Sequence, residues 1–272
     1  MRVDLDSRTV FLTGAAGGIG RVLVKAFLAS GARVVAADVD AAGLKQLAPA
    51  KNLATRVLDI ADAAACEVAV RETQPDILVN NGALGMQVLR ETCMTDLVRI
   101  EEITPVFWNR MISVNLSGAW YLTRAAVPGM RKRGWGRIIN VTTSFFTMLR
   151  GKFQPYGPSK AALEAMSAGH AAEFAGTGVT VNVVVPGGPA DTPMVPVVSG
   201  LKREDLVPPG RMAPPMLWLC TRDADAVTGK RYIAAQWDDA QSPEAARRAS
   251  ESPIGWPDLA AAPVWPGGKP TA

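Results

Sequence analysis

A glycine-rich turn, Thr13 to Gly20 (TGAAGGIG), constrains the fold of this chain more than any other stretch. It follows the apolar run 10–12 and precedes apolar residues at three- and four-residue spacing, which predicts a strand, a tight turn and a helix. Glycine is needed in such a turn because the backbone bends sharply, lets a pyrophosphate approach and allows the helix to pack close to its strand. The N-terminus of the helix then presents unpaired N–H groups to the phosphates.

The next predicted strand, 33–38, ends in an acid, Asp38, which lies 18 residues beyond Gly20. A carboxylate at about this distance meets the ribose hydroxyls of a bound dinucleotide. The same carboxylate would repel a 2′-phosphate, and neither Ala16 nor Val39 offers a cation to receive one. The sequence therefore predicts NAD rather than NADP as the cofactor.

The composition is typical of a soluble globular enzyme. Of the 272 residues, 48% are hydrophobic and 20% are charged, and the net charge is only +4. Basic residues are mostly scattered, so neither nucleic acid nor a membrane surface is expected as a partner. Three cysteines far apart predict neither a disulfide framework nor a zinc site, and we expect no metal. Because the N-terminus lacks a signal peptide and no apolar run reaches the length of a membrane span, we expect a cytoplasmic protein.

Strand-like and helix-like stretches alternate along the chain, which predicts an α/β fold with a doubly wound parallel sheet. Further strands are predicted at 55–59, 76–80, 137–142, 180–185 and 231–235. A long helix is predicted from Thr104 toward Met130, and it contains Asn115, a residue that forms helices poorly. That asparagine calls for a tertiary or functional reason, unless it simply faces solvent.

We expect a single catalytic domain over 1–235 and a C-terminal extension over 236–272. The extension contains Trp237, Trp256 and Trp265 among prolines. Exposed tryptophans are unfavourable unless they are covered, so the extension should pack on its own or a neighbouring subunit and rim the site, with a disordered terminus as the alternative.

Several further motifs accompany the glycine turn. They are NNGA at 80–83, Asn115, NVTTS at 140–144, YGPSK at 156–160 and PGGPADT at 186–192. In this order and spacing, over about residues 8–235, the chain closely resembles the short-chain dehydrogenase/reductase family. The resemblance implies a Rossmann-type domain with seven parallel strands flanked by helices, an NAD(P) cofactor, and a homo-oligomer, a dimer or homotetramer, built partly on the helices that carry Asn115 and Tyr156.

Tyr156 and Lys160 lie four residues apart and therefore on one face of a helix. By resemblance, Tyr156 transfers a proton to or from the substrate oxygen, Lys160 lowers its pKa and holds the cofactor ribose, and Asn115 holds a water that links Lys160 to solvent. Thr143 stands where the family usually has a serine that binds the substrate oxygen; it keeps the hydroxyl, and Ser144 is the alternative. The predicted catalytic residues are thus Asn115, Thr143, Tyr156 and Lys160.

The turn and the resemblance together predict an extended set of cofactor contacts. They are Thr13, Gly14, Gly17, Gly18, Ile19, Gly20, Asp38, Asp59, Asn80, Gly82, Tyr156, Lys160, Pro186, Gly187, Gly188, Ala190 and Thr192. For Asp59, a contact to the adenine amino group and a surface or capping role are both open. For Asn80, the amide either ties strands together or contacts a ligand. Because Pro189 has no N–H, the N–H of Gly188 or Ala190 should bind the nicotinamide carboxamide.

The substrate pocket is predicted to be mostly apolar. Its expected lining is Phe145, Phe146, Met148, Leu149, Phe153, Pro189, Met194 and Val195. This lining favours a small-molecule secondary alcohol or ketone on a lipophilic frame, although Arg150 and Lys152 would suit a carboxylate or a sugar acid.

The function expected from these features is hydride transfer between NAD(H) and a secondary alcohol or ketone. Two alternatives remain open: a catalytically silent NAD-binding sensor or scaffold, and an NADP-dependent reductase of oxoacyl thioesters. The complete set of Tyr156, Lys160 and Asn115 speaks against the first, and Asp38 speaks against the second. The one histidine, His170, is expected to serve a core or an interface rather than catalysis.

Overall fold

Every stretch that the sequence predicts to be a strand forms one in a computed structural model, which describes residues 3–258. Within these residues eight strands form one sheet in the order β3-β2-β1-β4-β5-β6-β7-β8. Their bounds are β1 Thr9–Thr13, β2 Arg33–Asp38, β3 Leu53–Val57, β4 Ile77–Asn80, β5 Gly136–Val141, β6 Val179–Val185, β7 Lys230–Ile233 and β8 Glu251–Pro253. The first seven are parallel, as predicted, and β8 runs antiparallel to β7.

Helices follow the strands and cover both faces of the sheet. Within the same described range the α-helices are α1 Gly18–Ala29, α2 Ala41–Lys45, α3 Ala63–Thr73, α4 Pro105–Ile112, α5 Gly118–Arg133, α6 Phe145–Leu149, α7 Tyr156–Glu173, α8 Ala213–Leu219 and α9 Pro243–Ser250. Side chains of α1 and α8 pack in one core cluster, and those of α3, α5 and α7 pack in another. Phe11 and Leu12 lie in opposite clusters because successive strand residues point to opposite faces. The α/β doubly wound fold is therefore confirmed.

The strand order fixes where a ligand can bind. From β1 the chain builds outward through β2 and β3, then returns to the other side of β1 to begin β4. In such a sheet the crevice at the carboxyl ends of the strands, at the point where the order reverses, is the binding site. This edge carries the turns after β1, β4 and β5.

The described part of the C-terminal extension packs against the sheet and its helices. Trp237 is buried beside Trp218 and Tyr232, with ring centroids 5.8 and 6.3 Å away. Strand β8 pairs with β7, and Trp256 lies 5.6 Å from the ring of Phe145. Trp265 lies outside the described residues. No helix in the described part of the chain is long and apolar enough to cross a membrane.

Candidate functional site

The glycine turn after β1 lies in close contact with two other segments. Gly14 has φ = 66°, and a Cβ atom there would come within 2.7 Å of the Cα of Gly82. A Cβ atom on Gly18 would come within 2.6 Å of the Thr192 side chain. Both positions therefore require glycine, and the turns after β1, β4 and β6 meet at one place.

The N-terminus of α1 is open to a ligand. Its N-cap is Gly17, and no side chain in the described part of the chain caps it. The N–H groups of the first helical turn thus remain available to donate to a ligand, and the helix dipole adds partial positive charge. These features fit the pyrophosphate of a dinucleotide.

Asp38 at the end of β2 is fixed beside this turn. One carboxylate oxygen accepts from the N–H of Ala16 at 2.9 Å and the other accepts from the N–H of Asp40 at 3.0 Å. Each oxygen keeps a lone pair, so the carboxylate can also accept from two ribose hydroxyls. The nearby guanidinium of Arg21, which the sequence reasoning did not consider, donates to the carbonyls of Ala16 and Gly43.

Asp59 and Asn80 are both engaged with other protein groups. Asp59 accepts from Arg110 and from the N–H of Ala61; burial acts to raise its pKa, but these hydrogen bonds and the Arg110 charge outweigh burial and lower it. The amide of Asn80 is 4% exposed and donates to Asn140 at 2.8 Å, which ties β4 to β5. Its amide oxygen is buried and has no hydrogen-bond partner among residues 3–258, so both interpretations of Asn80, a tie between strands and a ligand contact, stay open.

Hydrogen bonds that the sequence did not predict hold the glycine turn to the end of β4. The hydroxyl of Thr13 accepts from the N–H groups of Asn81 and Gly82, and the amide of Asn81 donates to the carbonyls of Thr13 and Gly14. The Thr13 side chain is therefore occupied within the protein. The NN pair in NNGA was the available signal, because a buried amide needs partners.

Tyr156 is the first residue of α7 and lies beside Thr143 at the end of β5. Burial raises the pKa of Tyr156 to about 12, while the neighbouring Thr143 side chain acts to lower it. Lys160, one helical turn later, is 2% exposed, and its ammonium donates to the carbonyl of Val141 at 2.8 Å. Burial lowers the pKa of Lys160 to about 8. A phenol, a hydroxyl and an ammonium group are thus gathered at the ligand-binding edge of the sheet.

The neighbouring hydroxyl, Ser144, has a different role. It is the N-cap of α6, where its oxygen accepts from the N–H of Thr147 at 3.1 Å and shares a hydrogen bond with the Thr147 hydroxyl. Of the two candidates for the substrate oxygen, Thr143 is the one that reaches Tyr156.

Asn115 lies in a π-helical turn, Ser113–Ser117, which interrupts the single long helix predicted from Thr104 to Met130. Its amide oxygen accepts from the N–H of Leu84, and its amide nitrogen donates to the Leu84 carbonyl and to Ser159. The helix position of Asn115 is therefore explained by a tertiary contact, in which its side chain clamps the helix to the segment after β4. A π turn adds one residue to a helical turn and often marks a functional position.

The segment after β6 lies over the site. Pro189 and Asp191 exchange backbone hydrogen bonds with Val207, each at 2.9 Å, and Gly187 has φ = 102°. Among residues 3–258, no group accepts from the backbone N–H of Gly188 or of Ala190. Both donors therefore remain free for an amide ligand. A Cβ atom on Gly85 would meet Met194 at 2.7 Å, so this segment also contacts the segment after β4.

The predicted substrate lining divides into a buried part and an exposed part. Phe153 is buried, and its ring meets the Tyr156 ring edge-on at 6.0 Å. Met148 and Val195 are also buried, whereas Phe146 and Leu149 on α6 are more than 70% exposed. Arg150 stacks 4.9 Å above Phe153.

Lys152 stands at a separate cavity of about 480 Å³, which it lines together with residues of the 90–102 segment. His170 is half-buried and stacks on Phe174 at 5.3 Å, and burial lowers its pKa. In the described residues, no three side chains of His, Cys, Asp or Glu come together as a metal site would require.

Comparison with known proteins agrees with this geometry. The family model described as short chain dehydrogenase matches residues 8–200. The chain is 33% identical over 193 residues to D-beta-hydroxybutyrate dehydrogenase of Cupriavidus necator, covering 67% of this chain and 71% of that protein. It is 30% identical over 249 residues to 2-keto-3-deoxy-L-fuconate dehydrogenase of Xanthomonas campestris, covering 84% and 79%.

Among solved structures, the fold matches the 3-ketoacyl-(acyl-carrier-protein) reductase of Brucella melitensis complexed with NADH. The TM-score is 0.73 at 25% identity, covering 85% of this chain and 97% of that one. The family model spans more than two thirds of the sequence and includes the glycine turn, Asn115, Thr143, Tyr156 and Lys160. This chain belongs to the short-chain dehydrogenase/reductase family.

Proposed function

We propose that the protein is an NAD(H)-dependent oxidoreductase that interconverts a secondary alcohol and its ketone, with Tyr156 as the group that gives and takes the proton. The observation that carries this proposal is the placement of Tyr156, which lies beside Thr143 and one helical turn before the buried Lys160. A bound nicotinamide would supply or accept the hydride, which is the cofactor's own chemistry.

The proton chemistry follows from the surroundings of Tyr156. With a pKa raised to about 12, the phenol holds its proton near neutral pH and can donate it to a carbonyl oxygen. To accept a proton in the oxidative direction, the phenolate must be stabilised by nearby positive charge and by the Thr143 hydroxyl. The Lys160 ammonium, on the same helical face, is the protein group that can supply this charge.

The residues around the glycine turn suit a dinucleotide. The N–H groups at the start of α1 would hold the pyrophosphate, and the Asp38 carboxylate would accept from the adenosine ribose. The free N–H groups of Gly188 and Ala190 would bind the nicotinamide carboxamide. The negative charge of Asp38 supports a preference for NAD over NADP, because a 2′-phosphate would lie against it.

We assign Asn115 to the proton path because of where it lies, since its side-chain amide is already hydrogen-bonded within the protein. Its amide is bound to Leu84 and Ser159, so the role left for it is to shape the space beside Lys160 for a water. Ser159, the residue next to Lys160, also donates to the carbonyl of Tyr156 at 2.7 Å. The clamp thus supports the start of the catalytic helix.

The buried ring of Phe153 and the buried side chains of Met148 and Val195 support an apolar substrate frame. Arg150, stacked on Phe153, keeps an acidic substrate open as the second candidate. Two of the compared proteins carry the names of hydroxy- or keto-acid dehydrogenases, which supports including such acids in any screen.

We further propose that the protein works in the cytoplasm as a homo-oligomer, a dimer or a homotetramer. The three cysteines are free and buried, which suits a reducing compartment. On α4 and α5, Val106 is 79% exposed and Trp120 is 43% exposed. These exposed apolar side chains lie on the helices that the family resemblance places at a subunit interface, which supports self-association.

The proposal is tested by following reduced nicotinamide absorbance with the purified protein. NAD and NADP are supplied in parallel with cyclic, aromatic, steroid, sugar and hydroxy-acid alcohols, and the reduced cofactors with the matching ketones and an oxoacyl thioester. We expect turnover of a secondary alcohol or ketone with NAD(H). Tight NADH binding without any turnover would favour a silent binding protein, and thioester reduction with NADPH would favour an oxoacyl reductase.

A further inference from the structure

A buried ion pair lies directly behind Thr143. Arg231 on β7 and Glu164 on α7 are 2% and 0% exposed, and Arg231 Nη1 lies 2.7 Å from Glu164 Oε2. The other terminal nitrogen of Arg231 donates to the backbone carbonyl of Thr143 at 2.6 Å. Glu164 Oε2 also accepts from the hydroxyl of Thr142 at 2.7 Å.

The pair connects α7, the end of β5 and β7. Glu164 lies one helical turn beyond Lys160, on the helix that also carries Tyr156. Through Thr142 and Thr143 the pair holds the end of β5, and through Arg231 it holds β7. The backbone of Thr143 is therefore tied, through the ion pair, to the helix that carries Tyr156.

The pair also reaches the C-terminal segment. Glu164 Oε1 accepts from the N–H of Gly255 at 3.2 Å. The Arg231 guanidinium lies 4.2 Å from the ring of Phe145, which in turn packs against Trp256. Residues after β8 thus close the network behind the end of β5.

Stability alone does not explain such a pair. Removing two charges from water is unfavourable, and apolar replacements of buried ion pairs are often neutral or stabilising. A fully bonded buried network does fix geometry, however, because an alternative arrangement would leave a charge without a partner. Positioning matters here because a misplacement of about 1 Å in a reacting group can lower a rate about a hundredfold.

We propose that Arg231 and Glu164 are positioning residues that hold Thr143 against Tyr156, and that the segment after β8 is part of this device. The inference rests on the proposed function for its effect on catalysis, but the placement of Thr143 can be tested without turnover. Neither residue touches the glycine turn or Asp38, so cofactor binding should not depend on them.

The test uses the double variant Arg231→Met/Glu164→Leu, which replaces the pair by apolar side chains and leaves no charge unpartnered. Thr143→Val, and the triple variant that combines it with the double variant, complete a mutant cycle. Arg137→Met is the matched control, because Arg137 is an equally buried arginine on β5, 1% exposed, that pairs with Asp225 and bonds the Leu219 carbonyl. The readouts are kcat, the KM for cofactor, and the NMR signal of tyrosine isotope-labelled at Cζ.

We expect the double variant to lower kcat about tenfold or more, with the KM for cofactor within about twofold of wild type. The triple variant should be no slower than Thr143→Val alone, because both changes act through one hydroxyl. The chain has three tyrosines, so Tyr156→Phe assigns the Tyr156 signal, which should shift in the double variant as it does in Thr143→Val. Arg137→Met should leave kcat and this signal unchanged.

The inference is overturned if the double variant keeps both kcat and the Tyr156 signal, or if its loss of kcat adds in full to that of Thr143→Val. If Thr143→Val itself leaves turnover intact, the proposed catalytic role of Thr143 fails instead. In that case the Cζ signal alone still decides whether Arg231 and Glu164 position Thr143.

Discussion

Asp38 accepts a hydrogen bond from the backbone N–H of Ala16 at 2.9 Å, so the acid that ends β2 and the bend of the glycine turn form one rigid unit. The carboxylate cannot swing away from a ligand without losing this bond and the bond from Asp40. Under the proposed function a negative charge is therefore held where the adenosine ribose would lie, and we propose that it favours NAD over NADP.

Asp38→Asn should raise the ratio of kcat/KM for NADP to kcat/KM for NAD by about tenfold or more, because it removes like-charge repulsion worth several kcal/mol while keeping the side-chain shape. Steady-state kinetics with both cofactors measure the ratio. Asp40→Asn, which keeps the N-cap of α2, is the matched control and should leave the ratio unchanged. A wild-type protein that already prefers NADP would contradict this account of Asp38.

The adjacent hydroxyls of Thr143 and Ser144 should affect different properties, turnover for the first and stability for the second. Thr143→Val should lower kcat about a hundredfold, since it removes a donor at the reacting oxygen, and Thr143→Ser should restore most of it. Ser144→Ala should instead cost about 1 kcal/mol of unfolding free energy through loss of the α6 N-cap. Kinetics and urea unfolding measure both quantities. If Ser144→Ala abolished turnover and Thr143→Val did not, the roles would be reversed.

Buried Lys160 should make stability depend on pH. Its folded-state pKa of about 8 lies below the ordinary 10.5, so the unfolded chain binds more protons between these values and stability rises with pH there. Relative to Lys160→Met, the wild-type free energy of unfolding should increase by about 2 kcal/mol from about pH 7 to about pH 9.5. Urea unfolding at both values measures the difference, with Lys25→Met, an exposed lysine, as the control. A difference that stays constant with pH would refute the effect.

The self-association proposed for α4 and α5 makes a separate prediction. Trp120→Glu replaces a half-exposed tryptophan by a charged residue and should convert the expected dimer or tetramer to smaller species in sedimentation velocity. Val57→Glu, a similar change at a 61% exposed valine on the edge strand β3, should leave the assembly unchanged. A wild-type protein that sediments as a monomer would contradict the proposal.

Local patterns were enough to predict much of this site. The glycine turn, Asp38, and the four-residue spacing of Tyr156 and Lys160 depend on neighbours in sequence, so their geometry follows from helix and turn chemistry alone. The alternation of strands and helices likewise predicts the sheet, because parallel strands need crossover connections.

Contacts between distant segments could not be predicted in the same way. The bond from Arg231 to Thr143 and the clamp of Asn115 on Leu84 join residues that no local pattern relates. The π turn at Asn115 coincides with this tertiary clamp, which helical periodicity does not reveal, so the sequence predicted one continuous helix. Strand β8 has only three residues and ends in Pro253, which gives no strand-like pattern.

The central claim is that Tyr156 moves the proton in an otherwise intact NAD(H) site, and Tyr156→Phe tests it most directly. NADH binding by fluorescence and turnover by nicotinamide absorbance are measured on wild type, Tyr156→Phe and the control Tyr121→Phe, a tyrosine on α5. We predict that Tyr156→Phe still binds NADH, weakened at most about tenfold by loss of one cofactor contact, and loses turnover by a factor of about 100 to 10,000, while Tyr121→Phe keeps both. Turnover that survives in Tyr156→Phe would contradict the account.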